Sequence, residues 1–291
     1  MKRNRVSFWF ATPALIIYVA LLIIPILMAF GLSLTDWNGM IVTKPNFISF
    51  QNYIDMLSDE RLHHAIRLTF TVAAVVVVAV NVLGLGIALL LNNAGRLTNV
   101  GRSIFFTPYV LCTVAISFIW LSILSYTGVF NSILESVGLG NLVDDYIGNA
   151  ENAVRSICIV EIWRTMGFHM VIYLAALQTV PKELYESCTV DGGNAWHRFR
   201  YVTLPNIVPQ ITISVLMSII NELRMYDIIK VLTDGGPGYS TESISYNIVT
   251  QAFGTNRLGY SSAIAVFLFV IIAIIAVFSI RASSKAGGQE S

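Results

Sequence analysis

The sequence predicts an all-α membrane protein with six transmembrane helices. Two compositional facts and one pattern point there. Hydrophobic residues make up 55% of the 291 positions and charged residues only 12%, against roughly 25% charged in an ordinary soluble domain. Mean hydropathy is +0.70. Apolar, charge-poor runs recur along the chain, and about 20 such residues suffice to cross a bilayer. A soluble fold of this length needs a charged skin, and these residues cannot supply one. The net charge of +1 offers no broad basic surface for nucleic acid.

The first run, from Phe8 to Ser33, follows the basic segment Met1–Arg5 and contains Pro13 and Pro25. It is much longer than the roughly 7–15 residues of a signal-peptide core, so residues 8–34 are expected to remain as a membrane helix behind a cytoplasmic segment 1–7. The second run is Leu68–Leu91 and the third Ser103–Leu134, with Tyr126-Thr-Gly128 ending the third helix early. The fourth, Ser156–Val180, carries Glu161, Arg164 and His169. The fifth, Ile207–Leu232, carries Glu222, Arg224, Asp227 and Lys230, and the sixth, Tyr260–Ile280, has no charge.

Loop charges set an orientation, because Lys and Arg gather on the cytoplasmic side. With the N-terminus inside, ten basic residues are internal: Lys2, Arg3, Arg5, Arg96, Arg102, Lys182, Arg198, Arg200, Arg281 and Lys285. Five are external: Lys44, Arg61, Arg67, Arg155 and Arg257. The external loop from Gly128 to Asn152 holds acids and no Lys or Arg. Both termini are therefore expected in the cytoplasm.

Three cysteines, Cys112, Cys158 and Cys188, match no zinc or redox spacing and read as free thiols. His63-His64 reads as an isolated pair in an external loop, without a third ligand, so no metal is expected. No Gly-x-x-x-x-Gly-Lys-[Ser/Thr] phosphate loop is present, so ATP hydrolysis is not expected from these residues.

The internal segment from Pro181 to Pro205 is the richest. Pro181 suits the start of a helix, and Lys182–Val190 is expected to be one, with Leu184, Cys188 and Val190 on its apolar side. Gly192-Gly193 can end it, Asn194 can cap a second short helix, and Trp196, Phe199 and Tyr201 follow at near-helical spacing. Leu204-Pro205 is expected to close this helix–turn–helix. Spacing alone also permits a plain linker between two spans.

This segment resembles the cytoplasmic signature of ABC importer permeases: Glu-Ala-Ala, three residues, Gly, nine residues, then Ile-x-Leu-Pro. Glu186 and Gly192 keep the first spacing, and nine residues separate Gly192 from Val202-Thr203-Leu204-Pro205; Asp191 also fits. Ser187 and Cys188 replace the alanines and Val202 the isoleucine. Leu232-Thr-Asp-Gly-Gly-Pro-Gly-Tyr-Ser-Thr241 resembles the Thr-x-Gly-Gly-Pro element of maltose- and glycerol-phosphate-type permeases. Pro108, Trp120, Gly128-Val-Phe-Asn131, Gly138-Leu-Gly140, Ala252-Phe253 and Gly259-Tyr-Ser-Ser-Ala263 are similar to the same family.

The resemblance implies a type I, MetI-like importer core over residues 65–285, set in the inner membrane of a bacterial or archaeal cell. It implies that segment 181–205 is a coupling loop, with Glu186, Ser187, Cys188, Asp191, Gly192, Leu204 and Pro205 seated on a cytoplasmic ATPase dimer. ATP would be bound by those partners, leaving this chain without a cofactor or catalytic role. A second permease, an extracytoplasmic binding protein delivering a sugar, and membrane lipid complete the implied partners.

Ionisable groups inside spans face cavities or the bundle interior. Glu161 and Arg164, three apart, can pair on one helix face. Asn221, Glu222, Arg224 and Tyr226 have the hydrogen-bonding and stacking chemistry a sugar needs and are candidates for its path, expected just past mid-bilayer. Glu222 and Arg224 could equally hold a subunit interface. Two other classes stay open: an ion-coupled secondary transporter, which often shows inverted repeats, and an intramembrane enzyme built on Glu161, Arg164 and His169.

Overall fold

The computed structural model describes residues 12–40, 42–92 and 95–287. Segment 1–7, with Lys2, Arg3 and Arg5, and the expected start of the first span at Phe8 lie outside the described residues, as do the side chains of Arg96 and Lys285. Among the described residues the secondary structure is helical, apart from one isolated bridge between Thr35 and Phe47. Six helical segments are long and apolar enough to cross a membrane: Thr12–Leu32, Glu60–Leu90, Thr113–Ser136, Ala150–Thr179, Ala195–Leu223 and Leu258–Arg281.

The helices are numbered in chain order. α1 is Thr12–Leu32. α2 is Gln51–Met56, α3 Glu60–Leu90, α4 Arg96–Val110, α5 Thr113–Leu124, α6 Val129–Ser136, α7 Ala150–Thr179 and α8 Lys182–Val190. α9 is Ala195–Leu223. α10 is Asp227–Leu232, α11 Ile244–Val249 and α12 Leu258–Gly287. The chain forms two compact units, Met1–Leu62 with Asn247–Ile271, and His63–Tyr246 with Ile272–Ser291.

Three boundaries differ from the sequence reading, each for a local backbone reason. The third run is divided: Leu111 and Cys112 are extended (ψ 151° and 125°), so α4 ends there and α5 begins afresh. The fifth run is also divided, because Arg224 leaves helical geometry and α10 starts separately at Asp227. The His63-His64 pair is not in a loop; it sits near the start of α3, with the His64 ring edge-on to Tyr239 at 5.6 Å.

In the larger unit α7 is the central element, with buried residues along its length from Ala153 to Leu177. One core gathers Val72, Val76, Val80, Ile116, Ile157, Val160, Ile228 and Ile229; a second gathers Ala88, Met170, Tyr173, Leu174, Leu177 and Ile207. α4 crosses α7 at Gly167, where a Cβ would lie 1.8 Å from the Phe105 carbonyl oxygen. Only glycine permits that approach, and small residues at crossings are how membrane helices gain packing contact.

Lipid is as apolar as leucine, so burial alone does not hold membrane helices together; packing and interhelical hydrogen bonds do. Asn81 of α3 is the hub. Its Nδ2 donates to Val77 O (2.7 Å) and Ser218 Oγ (3.0 Å), and its Oδ1 accepts from Tyr173 OH (2.5 Å) and Ser214 Oγ (2.8 Å). His169 Nδ1 lies 2.7 Å from Ser214 Oγ. The single Ser214 hydroxyl proton is directed to Asn81, so His169 Nδ1 is the donor in that contact.

In the smaller unit, Asn52 Nδ2 donates to the carbonyls of Ser33 (2.8 Å) and Thr35 (2.9 Å), and Tyr53 OH donates to Ser33 Oγ (2.9 Å). Tyr260 OH donates to Asp59 Oδ2 at 2.6 Å. The Asn52 and Tyr53 bonds tie the chain following α1 to α2, and the Tyr260–Asp59 bond ties the start of α12 to the link between α2 and α3.

Candidate functional site

Segment 181–205 forms two helices joined by a glycine turn, all within the larger unit. α8 spans Lys182–Val190, the range the sequence predicts, with Pro181 just ahead of it. Gly192 has φ +80°, Gly192 N–H donates to Thr189 O (3.1 Å), and Gly193 N–H donates to Cys188 O (2.8 Å). That pair of bonds is a Schellman C-cap, which needs a left-handed residue at the Gly192 position. Asn194 Oδ1 accepts from His197 N (3.0 Å), capping the next helix as its residue type predicts.

Two expectations about this segment are corrected. Leu204-Pro205 does not end the second helix. The wide turn Arg198–Thr203 precedes Pro205, and α9 runs on to Leu223. A proline inside a helix leaves one carbonyl unpaired and crowds the preceding turn, and a widened turn accommodates both. The inward side of α8 is also different. Leu184 and Val190 are exposed, whereas Tyr185 is partly buried and its hydroxyl pairs with Thr203 Oγ1 at 3.0 Å. Val202 and Thr203 are buried beneath it.

The outer surface of this unit is polar with exposed aromatics. Glu186, Ser187, Asp191 and Gly192 are exposed, as are Trp196 and Tyr201, while Cys188 and Leu204 are half-buried. A groove of about 510 Å³ is lined by Ser187, Cys188, Asp191, His197, Tyr201 and Asn206, among others. The three cysteines are free thiols.

A second site lies where α9 breaks. A cavity of about 300 Å³ is lined by Asn221, Arg224, Tyr226 and Asp227, together with Tyr109, Thr113, Glu161 and Arg164. Three of the four path candidates thus converge. The fourth, Glu222, is buried, and its Oε2 makes no hydrogen bond. Glu222 and Arg224 form no ion pair with each other among the described residues; Arg164 instead clasps Glu161 through Nε (3.0 Å) and a terminal nitrogen. Asn221 and Glu222 occupy the last turn of α9, Arg224 and Tyr226 follow it, and Asp227 opens α10. Sequence reasoning missed Tyr109 and Thr113, which reach the cavity through the bend at Leu111-Cys112; Pro108 was the one visible hint of a break there.

The Gly-Gly-Pro element forms a tight turn. Asp234, Gly235 and Gly238 have positive φ, and Tyr246 OH donates to Asp234 O (2.8 Å) and Oδ1 (2.9 Å). Lys230 Nζ pairs with Asp234 Oδ1 at 2.6 Å.

Residues 80–286 match the sequence pattern of the family described as binding-protein-dependent transport system inner membrane component. The chain belongs to that family. It is therefore the inner-membrane permease component of an ABC-type importer, and its fold is the all-α, six-span, MetI-like one. Among its relatives is a probable starch degradation products transport system permease, AmyD of Thermoanaerobacterium thermosulfurigenes, 31% identical, covering 97% of this chain and 96% of that protein. Another is the trehalose/maltose transport system permease MalF of Thermococcus litoralis, 31% identical over 93% of this chain and 91% of that one. A third is the multiple sugar-binding transport system permease MsmF of Streptococcus mutans, 30% identical and covering 97% of each. The permease also superposes on a chain of a bacterial ABC transporter that imports the acidic polysaccharide alginate, with a TM-score of 0.84 at 24% identity, over 98% of this chain and 96% of that one. That structural likeness concerns the fold.

Proposed function

We propose that this permease forms half of the translocation path of an ATP-driven sugar importer, with segment 181–205 as the part that an ATPase dimer pushes. The observation that carries the sugar assignment is the cavity at the end of α9, read together with relatives named for starch products, trehalose, maltose and multiple sugars. Its wall offers carboxylate, amide, guanidinium and phenol groups side by side. Sugar hydroxyls need paired donors and acceptors, and aromatic faces take their apolar side. Glu222, next in the chain to the wall residue Asn221 and buried with an unpaired oxygen, is the acceptor we assign to a sugar hydroxyl once the path opens to it.

The coupling assignment rests on the exposed chemistry of α8 and the start of α9. A rigid, capped turn bearing exposed Trp196 and Tyr201 has the anchors typical of protein interfaces. Glu186, Ser187, Cys188, Asp191, Gly192, Leu204 and Pro205 are the residues we assign to coupling with the ATPase, as the resemblance implies. Energy comes from the ATPase, and this chain performs no chemistry. A second permease completes the path and an extracytoplasmic binding protein delivers the sugar; the alginate importer has been described in complex with its periplasmic protein. The ten-to-five distribution of basic residues supports cytoplasmic termini, with residues 65–285 as the five-helix core and the first helix added to it.

Glu222→Ala should abolish sugar uptake in proteoliposomes while the complex still copurifies with its ATPase. Unchanged uptake would remove Glu222 from the path. Glu186→Ala should weaken ATPase copurification, and full retention of the ATPase would remove the coupling role.

A further inference from the structure

Three ionisable side chains meet where α7 passes the end of α9, and their numbers do not balance. Glu161 and Glu222 are 3% and 2% exposed. Both lie within electrostatic reach of the Arg164 guanidinium. Two buried carboxyl groups thus share one fixed positive charge. Arg224, two residues beyond Glu222, is exposed on the cavity wall and joins no ion pair among the described residues.

In the arrangement seen here Arg164 serves Glu161, through Nε at 3.0 Å and one terminal nitrogen. Both residues are on α7, so this clasp ties no helix to another. A guanidinium carries five N–H groups in a planar fork. The other terminal nitrogen of Arg164 makes no hydrogen bond among the described residues. Glu222 is on α9, and its enclosed Oε2 has no partner. A spare donor and a spare acceptor therefore stand near each other on two spans. Glu161 competes for the same guanidinium, but the two acids are placed differently. Glu161 lines the cavity beside Arg164, where water can solvate it; Glu222 does not line it. An ionised group enclosed in a span needs a partner, and for Glu222 that partner has to be a side chain.

We propose that Arg164 moves between the two acids, clasped to Glu161 as seen here and bridging to Glu222 when the cavity widens and water solvates Glu161. The bridge ties α7 to the last turn of α9 and covers the neighbouring Asn221. The exchange stands on the placement of these three residues. Its consequence for transport rests on the reading of Glu222 as the sugar's acceptor: Arg164 and a sugar hydroxyl compete for one carboxylate, so an open, empty path is bridged and a loaded one is not.

The yield of assembled complex is the first readout. Glu161→Gln should keep most of the parent yield, because Glu222 takes over Arg164. Glu222→Gln should also keep it, because the clasp remains. Glu161→Gln together with Glu222→Gln strands the guanidinium and should lose most of the complex, and adding Arg164→Met should recover it. If Glu161→Gln alone loses as much complex as Arg164→Met alone, Arg164 has no second partner and the proposal falls. The second readout is labelling of Asn221→Cys by a water-soluble maleimide, without sugar, in the assembled transporter in nanodiscs. The background carries Cys112→Ala, Cys158→Ala and Cys188→Ala. Labelling should be fastest in Glu222→Gln, which cannot form the bridge, slower in the parent, and severalfold slower again in Glu161→Gln, which forms it throughout. Equal rates in all three would overturn the exchange whatever the yields. Neither readout involves sugar. Undiminished uptake by Glu222→Ala would therefore take the sugar away from this acid without deciding the exchange, which these two measurements decide.

Discussion

The Tyr173 hydroxyl donates to Asn81 Oδ1 at 2.5 Å, across 92 residues of sequence, and fills the last hydrogen-bonding site of a buried amide. An amide has two donors and two acceptor lone pairs, and at Asn81 all four are used. Interhelical bonds in membrane proteins average about 0.6 kcal/mol each. Tyr173→Phe should therefore lower stability by about 0.6 kcal/mol. Asn81→Ala removes four bonds and strands the Tyr173 and Ser214 hydroxyls, so it should cost about 2 kcal/mol or more. Thermal unfolding of the purified complex in detergent measures both. Equal losses for the two variants would show that Asn81 is not the hub.

The Glu161–Arg164 pair gives a sharper contrast. Both side chains are largely buried, and the clasp is two-pronged. Removing one partner of a buried pair leaves an uncompensated charge, a loss of about 3–5 kcal/mol, whereas replacing both by neutral groups of similar size is often close to neutral. Arg164→Met should sharply reduce the yield of assembled complex, and Glu161→Gln with Arg164→Met should restore most of it. If the double variant is as poor as the single one, the pair serves more than its own neutralisation.

These features were unequally legible in the sequence. The six spans were visible because a run of about 20 apolar residues is a signal few soluble folds imitate. The bounds of α8 were visible because Pro181 and Gly192 punctuate it chemically. The inward side of α8 was not, since Leu184 and Val190 look more apolar than Tyr185. What decides is the Tyr185–Thr203 bond, a pairing across a turn that one-dimensional spacing does not encode. The bend at Leu111-Cys112 has only Pro108, three residues earlier, as a hint of a break, so α4 and α5 read as one run, and Tyr109 and Thr113 could not be joined to the α9 cluster. Asn221, Arg224 and Tyr226 were found because polar groups in an apolar run are conspicuous.

The Gly-Gly-Pro turn predicts a plain pH dependence. The hydrogen bond from Lys230 holds the Asp234 carboxyl below its ordinary value, and the same bond, seen from the other side, raises the Lys230 ammonium. The depressed carboxylate contributes stability above the ordinary Asp value of about 3.9 and loses it as pH falls through the lower folded value. The raised ammonium contributes below about 10.4 and loses it as pH rises through the higher folded value. The clasp should therefore be constant between about pH 5 and 9. Both side chains are more than half solvent-exposed or at that limit, so screening keeps the pair under about 1 kcal/mol. Hydrogen exchange of residues 233–242, corrected for intrinsic rates, should differ little between Lys230→Met and the parent across that range. A large loss of protection at neutral pH would mean that the pair, rather than the Tyr246–Asp234 bonds, holds the turn.

Gly192 separates backbone geometry from side-chain crowding. A Cβ there meets nothing within 4 Å, yet φ is +80°. A non-glycine residue in that region costs about 1–2 kcal/mol, and asparagine bears it best because its side chain bonds locally. At Gly193 the obstacle is steric instead, since a Cβ would sit 2.5 Å from Cys188 Sγ and 2.7 Å from Cys188 O. Gly192→Asn should keep the Schellman cap and most of the copurifying ATPase. Gly192→Ala should retain less, and Gly192→Val, with a branched Cβ in the left-handed region, should retain least. Uptake should fall in the same order. The order matters because none of the three variants adds a clash or a charge; they differ in how readily the chain holds the turn that orients α8 against α9. If Asn and Val retained ATPase equally, the shape of this turn would not be what the ATPase reads.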